Sequence, residues 1–249
     1  MLRKLIFVVS AVAFTLASCG RQVTPNRTES PSGLSSGQMQ IKFTTQGTLD
    51  FVNNWYVLAF NTSGTGTEPY AKFGSQTQNW LDFSFEIVVF QPNANSQVQA
   101  ALWQFGSTTG PNGPQKQAVQ IGPIPSQDLF VTPNCNGSST QFCVTLNRRI
   151  FITQFNFASP SPSPSSTPMP GGVQNTWFIN WFVASPGGNP PGQVISAAGP
   201  FGVTDNTFVQ QYDVSTTFDT PWNQALPPAV PQAPSPASQI IGGEVLNSQ

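Results

Sequence analysis

Histidine is absent from this 249-residue chain, and only 8% of its residues are charged. A Ser-His-Asp triad, a Cys-His pair and a His-ligated metal site each need an imidazole, so the sequence excludes all three. The formal net charge is −1, and no basic run is longer than two residues. Nucleic-acid binding is therefore not expected, because neutralising several phosphates takes a cluster of basic side chains.

The start of the chain is organised like an export signal. Arg3 and Lys4 precede an apolar stretch from Leu5 to Leu16, which is too short to span the roughly 30 Å of a bilayer core. The sequence Leu16-Ala17-Ser18-Cys19 follows, and it resembles the lipobox of bacterial lipoproteins. The resemblance implies a signal peptide over 1–18, a thioether-linked lipid on Cys19 and acylation of the new amino terminus. An ordinary signal peptide with an incidental cysteine is the alternative.

Residues 19–38 have the composition of a flexible tether, rich in Ser, Gly, Pro, Thr and Asn. A coil of this length reaches about 20–25 Å. Two or more acyl chains hold a protein stably at a bilayer, so no polybasic patch is required. We therefore expect the protein on the extracytoplasmic side of the cell membrane or outer membrane. A G-x-S-x-G match at Gly33–Gly37 is attributed to linker composition, because no histidine is there to activate the serine.

The body of the chain, 39–220, has the pattern of an all-β protein, because apolar residues recur with a period of two. Trp55 to Phe60 is apolar on both faces, which predicts a central strand. Trp80 to Phe90 predicts a strand with Leu81, Phe83, Phe85, Ile87 and Val89 on the core face and with Asp82, Ser84 and Glu86 on a largely exposed face. Further strands are predicted over 40–44, 98–105, 118–121, 142–146, 150–157, 177–183, 194–197 and 207–214.

Short strands at this spacing, separated by Gly-, Pro- and Asn-rich turns, are typical of an antiparallel β-sandwich, Ig-like or jelly-roll-like. We expect one domain in which the Pro/Ser-rich stretch 159–172 is a long loop, and two small β domains are the alternative. A second Pro-rich stretch predicts a C-terminal tail over 221–249. Arg148 and Arg149 are expected to lie in an exposed hairpin turn.

Cys135 and Cys143 are the two cysteines of the body. Export would place them in an oxidising compartment, so we predict a structural disulfide between them. A metal pair is the rival interpretation, but two thiols without histidine or further cysteine make a poor site.

Carboxylates are the remaining candidates for acid–base chemistry. Asp82 and Glu86 share a strand face, but four residues along a strand span about 13 Å. The carboxylate pair of a glycosidase lies about 5–9.5 Å apart, so solvated side chains on a wet face are the simpler interpretation. The sequence also has no EF-hand-type calcium loop and no phosphate-binding glycine loop. We expect no catalytic residue, no metal site and no cofactor.

Aromatic side chains are the other candidates for a binding surface, because a ring flanked by hydrogen-bonding groups can stack on a sugar. Trp80, Trp103, Tyr70 and Trp222 are possible positions. The sequence thus favours a lipid-anchored, non-catalytic binding or structural module at the cell envelope, contacting a polysaccharide or another surface protein. A carboxylate-dependent glycoside hydrolase and a passive spacer or assembly subunit are the alternatives.

Overall fold

The structure is a computed structural model that describes residues 33–62, 84–110, 113–152, 174–187, 194–198, 210–223 and 233–249, apart from the side chains of 106–118 and 152. These residues form two short 3-10 helices, Cys135–Gly137 and Arg148–Ile152. They also form strands β1 (Gln38–Thr45), β2 (Trp55–Asn61), β3 (Phe85–Phe90), β4 (Gln99–Gly110), β5 (Gly113–Gln120), β6 (Leu129–Pro133), β7 (Gln141–Asn147), β8 (Thr176–Ala184), β9 (Val194–Ala197), β10 (Gln210–Asp213), β11 (Phe218–Asn223) and β12 (Ile240–Asn247).

The strands make two sheets that pack face to face. The five-stranded sheet has the order β11-β12-β1-β7-β6, and the seven-stranded sheet has the order β10-β8-β2-β3-β4-β5, with β9 also paired to β8. The strand pairs are antiparallel. The predicted all-β antiparallel sandwich is therefore confirmed.

Period-two alternation places the core. In β1, Met39, Ile41 and Phe43 are fully buried, while the residues between them are only half-buried. The ring of Phe43 stacks on Phe142 at a centroid distance of 5.1 Å and meets the edge of Tyr56 from the other sheet at 5.3 Å. These contacts join the sheets at their centres, because β1 and β2 are each flanked on both sides.

The segment 221–249 is not a tail, and that prediction is wrong. Within it, β12 is an inner strand of the five-stranded sheet, paired on one side with β1 and on the other with β11. Pro221 lies in β11, which is the last strand on its side of that sheet, and proline is tolerated there because it need not donate a ladder hydrogen bond. Proline is unfavourable in most strand positions, and the paired glycines Gly242 and Gly243 interrupt the apolar alternation in Ile240–Asn247.

The chain on the two sides of the Pro/Ser stretch contributes to the same sheets. β8 follows that stretch and pairs with β2, which precedes it. Residues 159–172 themselves lie outside the described residues, as do the signal segment 1–18 and the tether up to residue 32.

The prediction for Arg148 and Arg149 is also wrong, because no hairpin turn lies there. Arg148–Ile152 is a 3-10 helix, so the strand predicted over 150–157 does not begin at its expected residue, and 153–157 lie outside the described residues. The guanidinium of Arg148 donates hydrogen bonds to the carbonyls of Gly37, Val214 and Ser248. One side chain thus ties together three separate parts of the chain.

Candidate functional site

The sandwich has two chemically different ends. At one end, the N–H of Gly37 donates to the carbonyl of Ser248 at 3.0 Å, and the N–H of Ser248 donates to Gln38 at 2.9 Å. We call this end, with Arg148 bound to both segments, the Gly37 end. The other end carries the disulfide between Cys135 and Cys143, whose Cα atoms are 5.5 Å apart, and is called the disulfide end. The predicted disulfide is present.

The loops at the disulfide end comprise residues 46–54, 91–98, 134–140, 185–187 and 233–239. Backbone hydrogen bonds join four of them: Leu49 N–H donates to Ser139 at 2.9 Å, Gly47 N–H to Pro236 at 2.9 Å, and Gln91 N–H to Phe51 at 2.8 Å. The hydroxyl of Tyr56 donates to the carbonyl of Ala237 and accepts from the N–H of Asp50. Four of the five loops of the disulfide end are thus joined to one another by hydrogen bonds.

Charge is segregated between the two ends. Among the described residues, Asp50 is the one charged side chain in the loops of the disulfide end. Partial burial would raise its pKa, but hydrogen bonds from the Asn53 side chain and from the N–H groups of Asn53 and Val52 outweigh this and lower the pKa. Arg148, Arg149 and Asp128 lie instead at the Gly37 end, where Asn147 N–H donates to Asp128.

A groove of about 570 Å³ opens at the Gly37 end, between the connection from β5 to β6 and the Arg148–Ile152 helix. Its walls are mainly Ile and Pro side chains, with one ion pair at the rim: Ile121, Gly122, Pro123, Ile124, Pro125, Asp128, Arg149 and Ile150. The Arg149 guanidinium donates three hydrogen bonds of 2.7–3.0 Å to the carboxylate of Asp128. That hydrogen-bonded contact raises the pKa of Arg149. The two charges of the pair neutralise each other, so the described walls of the groove offer a mainly apolar surface.

Glu86 departs from the predicted exposed strand face. It is 0% exposed, and neither carboxyl oxygen has a hydrogen-bond partner among the described residues. Burial raises the pKa of this carboxyl well above its ordinary value. Val88, on the same face, is also buried, so the expectation of a wet face is wrong. The physical reason is that the cross-strand neighbours of Glu86 are apolar: Ala59 of β2 lies on one side and Trp103 of β4 on the other.

Two further described carboxylates have different hydrogen-bond or ion-pair partners. Glu244 pairs with Lys42 across neighbouring strands, and Asp213 accepts hydrogen bonds from the N–H and hydroxyl of Ser215. Within the part of the chain that the structure describes, no group of three or more Cys, Asp or Glu side chains could hold a metal ion. Asp82, the other member of the glycosidase pair considered above, lies outside the described residues.

The aromatic candidates have different outcomes. Trp222 is buried in the core, so this possible sugar-stacking position is not available at the surface. Trp103 is half-buried on the outer face of the seven-stranded sheet, and Trp80 and Tyr70 lie outside the described residues.

The sequence pattern does not single out a different pair, Trp55 and Phe90, whose half-buried rings meet at 5.7 Å at the disulfide end. The available signal was their position, since Trp55 begins β2 and Phe90 ends β3.

Comparisons with protein-family models, with curated proteins and with solved structures find no match to this chain. None of the helices among the described residues has the length and apolar composition needed to cross a bilayer.

Proposed function

We propose that this chain is a lipid-anchored protein of the cell envelope whose sandwich is a non-catalytic binding or structural module. The lipobox-like Leu16-Ala17-Ser18-Cys19 supports acylation at Cys19, and the polar stretch after it supports a short tether. The module would stand on the extracytoplasmic side of the cell membrane or outer membrane. A disulfide between Cys135 and Cys143 agrees with an exported location.

The observation that carries this proposal is the position of Gly37. It is hydrogen-bonded to Ser248 and Arg148 at one end of the sandwich. A tether that reaches about 20–25 Å would hold this end towards the lipid. β1 extends about 23 Å from there, at roughly 3.3 Å per residue, so the loops of the disulfide end would point away from the membrane. A partner in the envelope, either a polysaccharide or a surface protein, would meet these loops first.

A non-catalytic role is favoured by the surroundings of four of the described acidic side chains. Asp128 and Glu244 are neutralised by Arg149 and Lys42, Asp50 is held by its own loop, and Glu86 is buried. General acid–base catalysis needs a carboxyl within hydrogen-bond reach of a substrate atom. Turnover of chromogenic glycosides by the purified protein would contradict this part of the proposal.

The anchor is tested by Cys19→Ala, with Ser18→Ala as the matched control, because alanine at residue 18 keeps a small residue before the lipidated cysteine. Cells are fed an alkyne-labelled palmitate and separated into membrane and soluble fractions. Wild type and Ser18→Ala should carry the label and sediment with membranes, whereas Cys19→Ala should carry none. Labelling of Cys19→Ala to the wild-type level would refute the proposal.

A further inference from the structure

We infer that Trp55 and Phe90 form a stacking surface for the sugar rings of a neutral polysaccharide. The inference rests on the proposed function in one respect: it names the partner class that the outward-facing end would contact. The ring pair itself is defined by the fold and does not depend on how the chain is anchored.

The register of the seven-stranded sheet places the pair in a row across four strands. Ala184 of β8 lies opposite Trp55, the Trp55 ring meets Phe90 at 5.7 Å with an interplanar angle of 50°, and Phe90 lies opposite Gln99 of β4. Both rings are half-buried against the apolar outer face of that sheet, whereas Gln99 is exposed. The two tilted rings form a ledge that is flanked on one side by Ala184, which is 0% exposed, and on the other by the exposed amide of Gln99.

This arrangement suits a sugar. The C–H face of a pyranose packs on an aromatic ring, while its hydroxyl groups need donors and acceptors beside that ring. The Gln99 amide supplies two donors and a carbonyl acceptor. Directly opposite residues in an antiparallel pair have Cβ atoms about 4.5–5.5 Å apart, so this amide lies within one sugar unit of the Phe90 ring.

The surrounding loops favour a neutral ligand. In the described part of the disulfide end, the residues around the pair are mostly Asn, Gln, Ser, Thr, Pro and Gly, and the single carboxylate, Asp50, is occupied by Asn53. An acidic polymer would find no Lys or Arg to pair with among these described loop residues. A protein partner usually needs a larger apolar centre in its interface, and the exposed large hydrophobic residue that the structure describes, Phe130, is on the other sheet.

The site is also held in place before any ligand arrives. The side-chain amide of Gln91 donates to the carbonyl of Ser96 at 2.6 Å and to that of Ala94 at 3.3 Å, which ties the loop after Phe90 to itself. The backbone of Gln91 is bonded to Phe51 in the neighbouring loop. A preformed ledge loses less conformational entropy on binding than a mobile one.

The test uses the full-length protein in a mild non-ionic detergent, run by native electrophoresis through gels that contain dextran, laminarin, hydroxyethylcellulose or polygalacturonate. At least one of the three neutral glucans should retard wild type, and polygalacturonate should not. Trp55→Ala should weaken the retarding affinity about tenfold or more, as loss of an aromatic anchor does. Phe130→Ala is the matched control, because it removes an exposed ring from the other sheet, and it should bind as wild type does.

Gln99→Ala is the second variant, because an exposed side chain can be removed without unfolding the sheet. It should keep the melting temperature and weaken binding about threefold, the effect of one hydrogen bond. Wild-type affinity in both Gln99→Ala and a folded Trp55→Ala would overturn the inference. So would the absence of retardation by every neutral glucan, with or without capture of an envelope protein. Palmitate labelling at Cys19 is a separate readout, so the anchor proposal can survive that result.

Discussion

The indole rings of Trp181 and Trp222 pack edge to face between the two sheets, with their centroids 4.9 Å apart and their planes at 63°. Trp181 belongs to β8 and Trp222 to β11, so the contact joins strands from different sheets. The space for Trp222 exists because its cross-strand neighbour is Gly243. A Cβ atom on Gly243 would lie 2.8 Å from Nε1 of Trp222 and 2.7 Å from the carbonyl oxygen of Lys42.

Gly243→Ala should therefore destabilise the sandwich. Neither the Lys42 backbone nor the packed Trp222 ring can move away freely, and overpacking of this kind costs about 1–3 kcal/mol. Gly122→Ala is the control, because nothing lies within 4 Å of its added Cβ. Urea unfolding followed by tryptophan fluorescence would give both free energies of unfolding. Equal stability of the two variants would show that the Trp222 contact does not limit the space at residue 243.

Glu86→Gln should raise the free energy of unfolding at neutral pH. Burial raises the pKa of Glu86 in the folded protein above its ordinary value of 4.5, so the folded chain keeps a proton that the unfolded chain releases. The contribution of this group to stability is full below pH 4.5 and falls as pH rises towards the folded-state pKa.

The wild type should thus lose more stability than Glu86→Gln between pH 4.5 and neutral pH. The control is Glu244→Gln, which removes a half-buried carboxylate that is paired with Lys42. A Glu86→Gln variant that is less stable than wild type at pH 7, as measured by urea unfolding, would mean that the carboxyl is ionised and partnered in the folded protein.

Arg148→Ala should destabilise the fold more than Arg149→Ala, although the two residues are neighbours. Arg148 donates to three backbone carbonyls that would be left without this donor, and hydrogen bonds from a charged group contribute about 1.5–3 kcal/mol. The Arg149 side chain is 61% exposed, and ion pairs of exposed side chains contribute little. Thermal melting of the two variants would show which one is less stable. A larger fall in melting temperature for Arg149→Ala would contradict the conclusion that Arg148 holds the three chain segments together.

Reduction of the disulfide between Cys135 and Cys143 should lower the free energy of unfolding by about 2.5 kcal/mol, from loop entropy alone. The Cys135→Ala/Cys143→Ala double variant should be equally destabilised and should not respond to reductant. Urea unfolding with and without dithiothreitol makes the comparison. Unchanged stability of wild type on reduction would indicate that the loop 134–140 is held by its hydrogen bonds, such as Thr45 N–H to Thr140 at 2.9 Å.

The strand pattern and the disulfide could be predicted from the sequence because both depend on local or countable features. Alternation in β1, β7 and β8 is visible in consecutive residues, and two cysteines in the body allow a single pairing. The sequence pattern does not predict β6, β11 or β12. Proline occurs in β6 and β11, and paired glycines occur in β12. Both interrupt the pattern, so these strands exist because neighbouring strands supply their hydrogen bonds.

The sequence by itself determined the all-β class, through its period-two alternation. It also excluded imidazole chemistry, because a chain without histidine cannot supply an imidazole in any fold. The surroundings of each face and end were decided only by tertiary structure. Glu86 is buried because the neighbouring strands are apolar on its side, and Trp222 is in the core because Gly243 leaves room for it. Gly37 and Ser248 share one end because β1 and β12 pair antiparallel, and that pairing joins residues about 200 positions apart, a separation that no local pattern encodes.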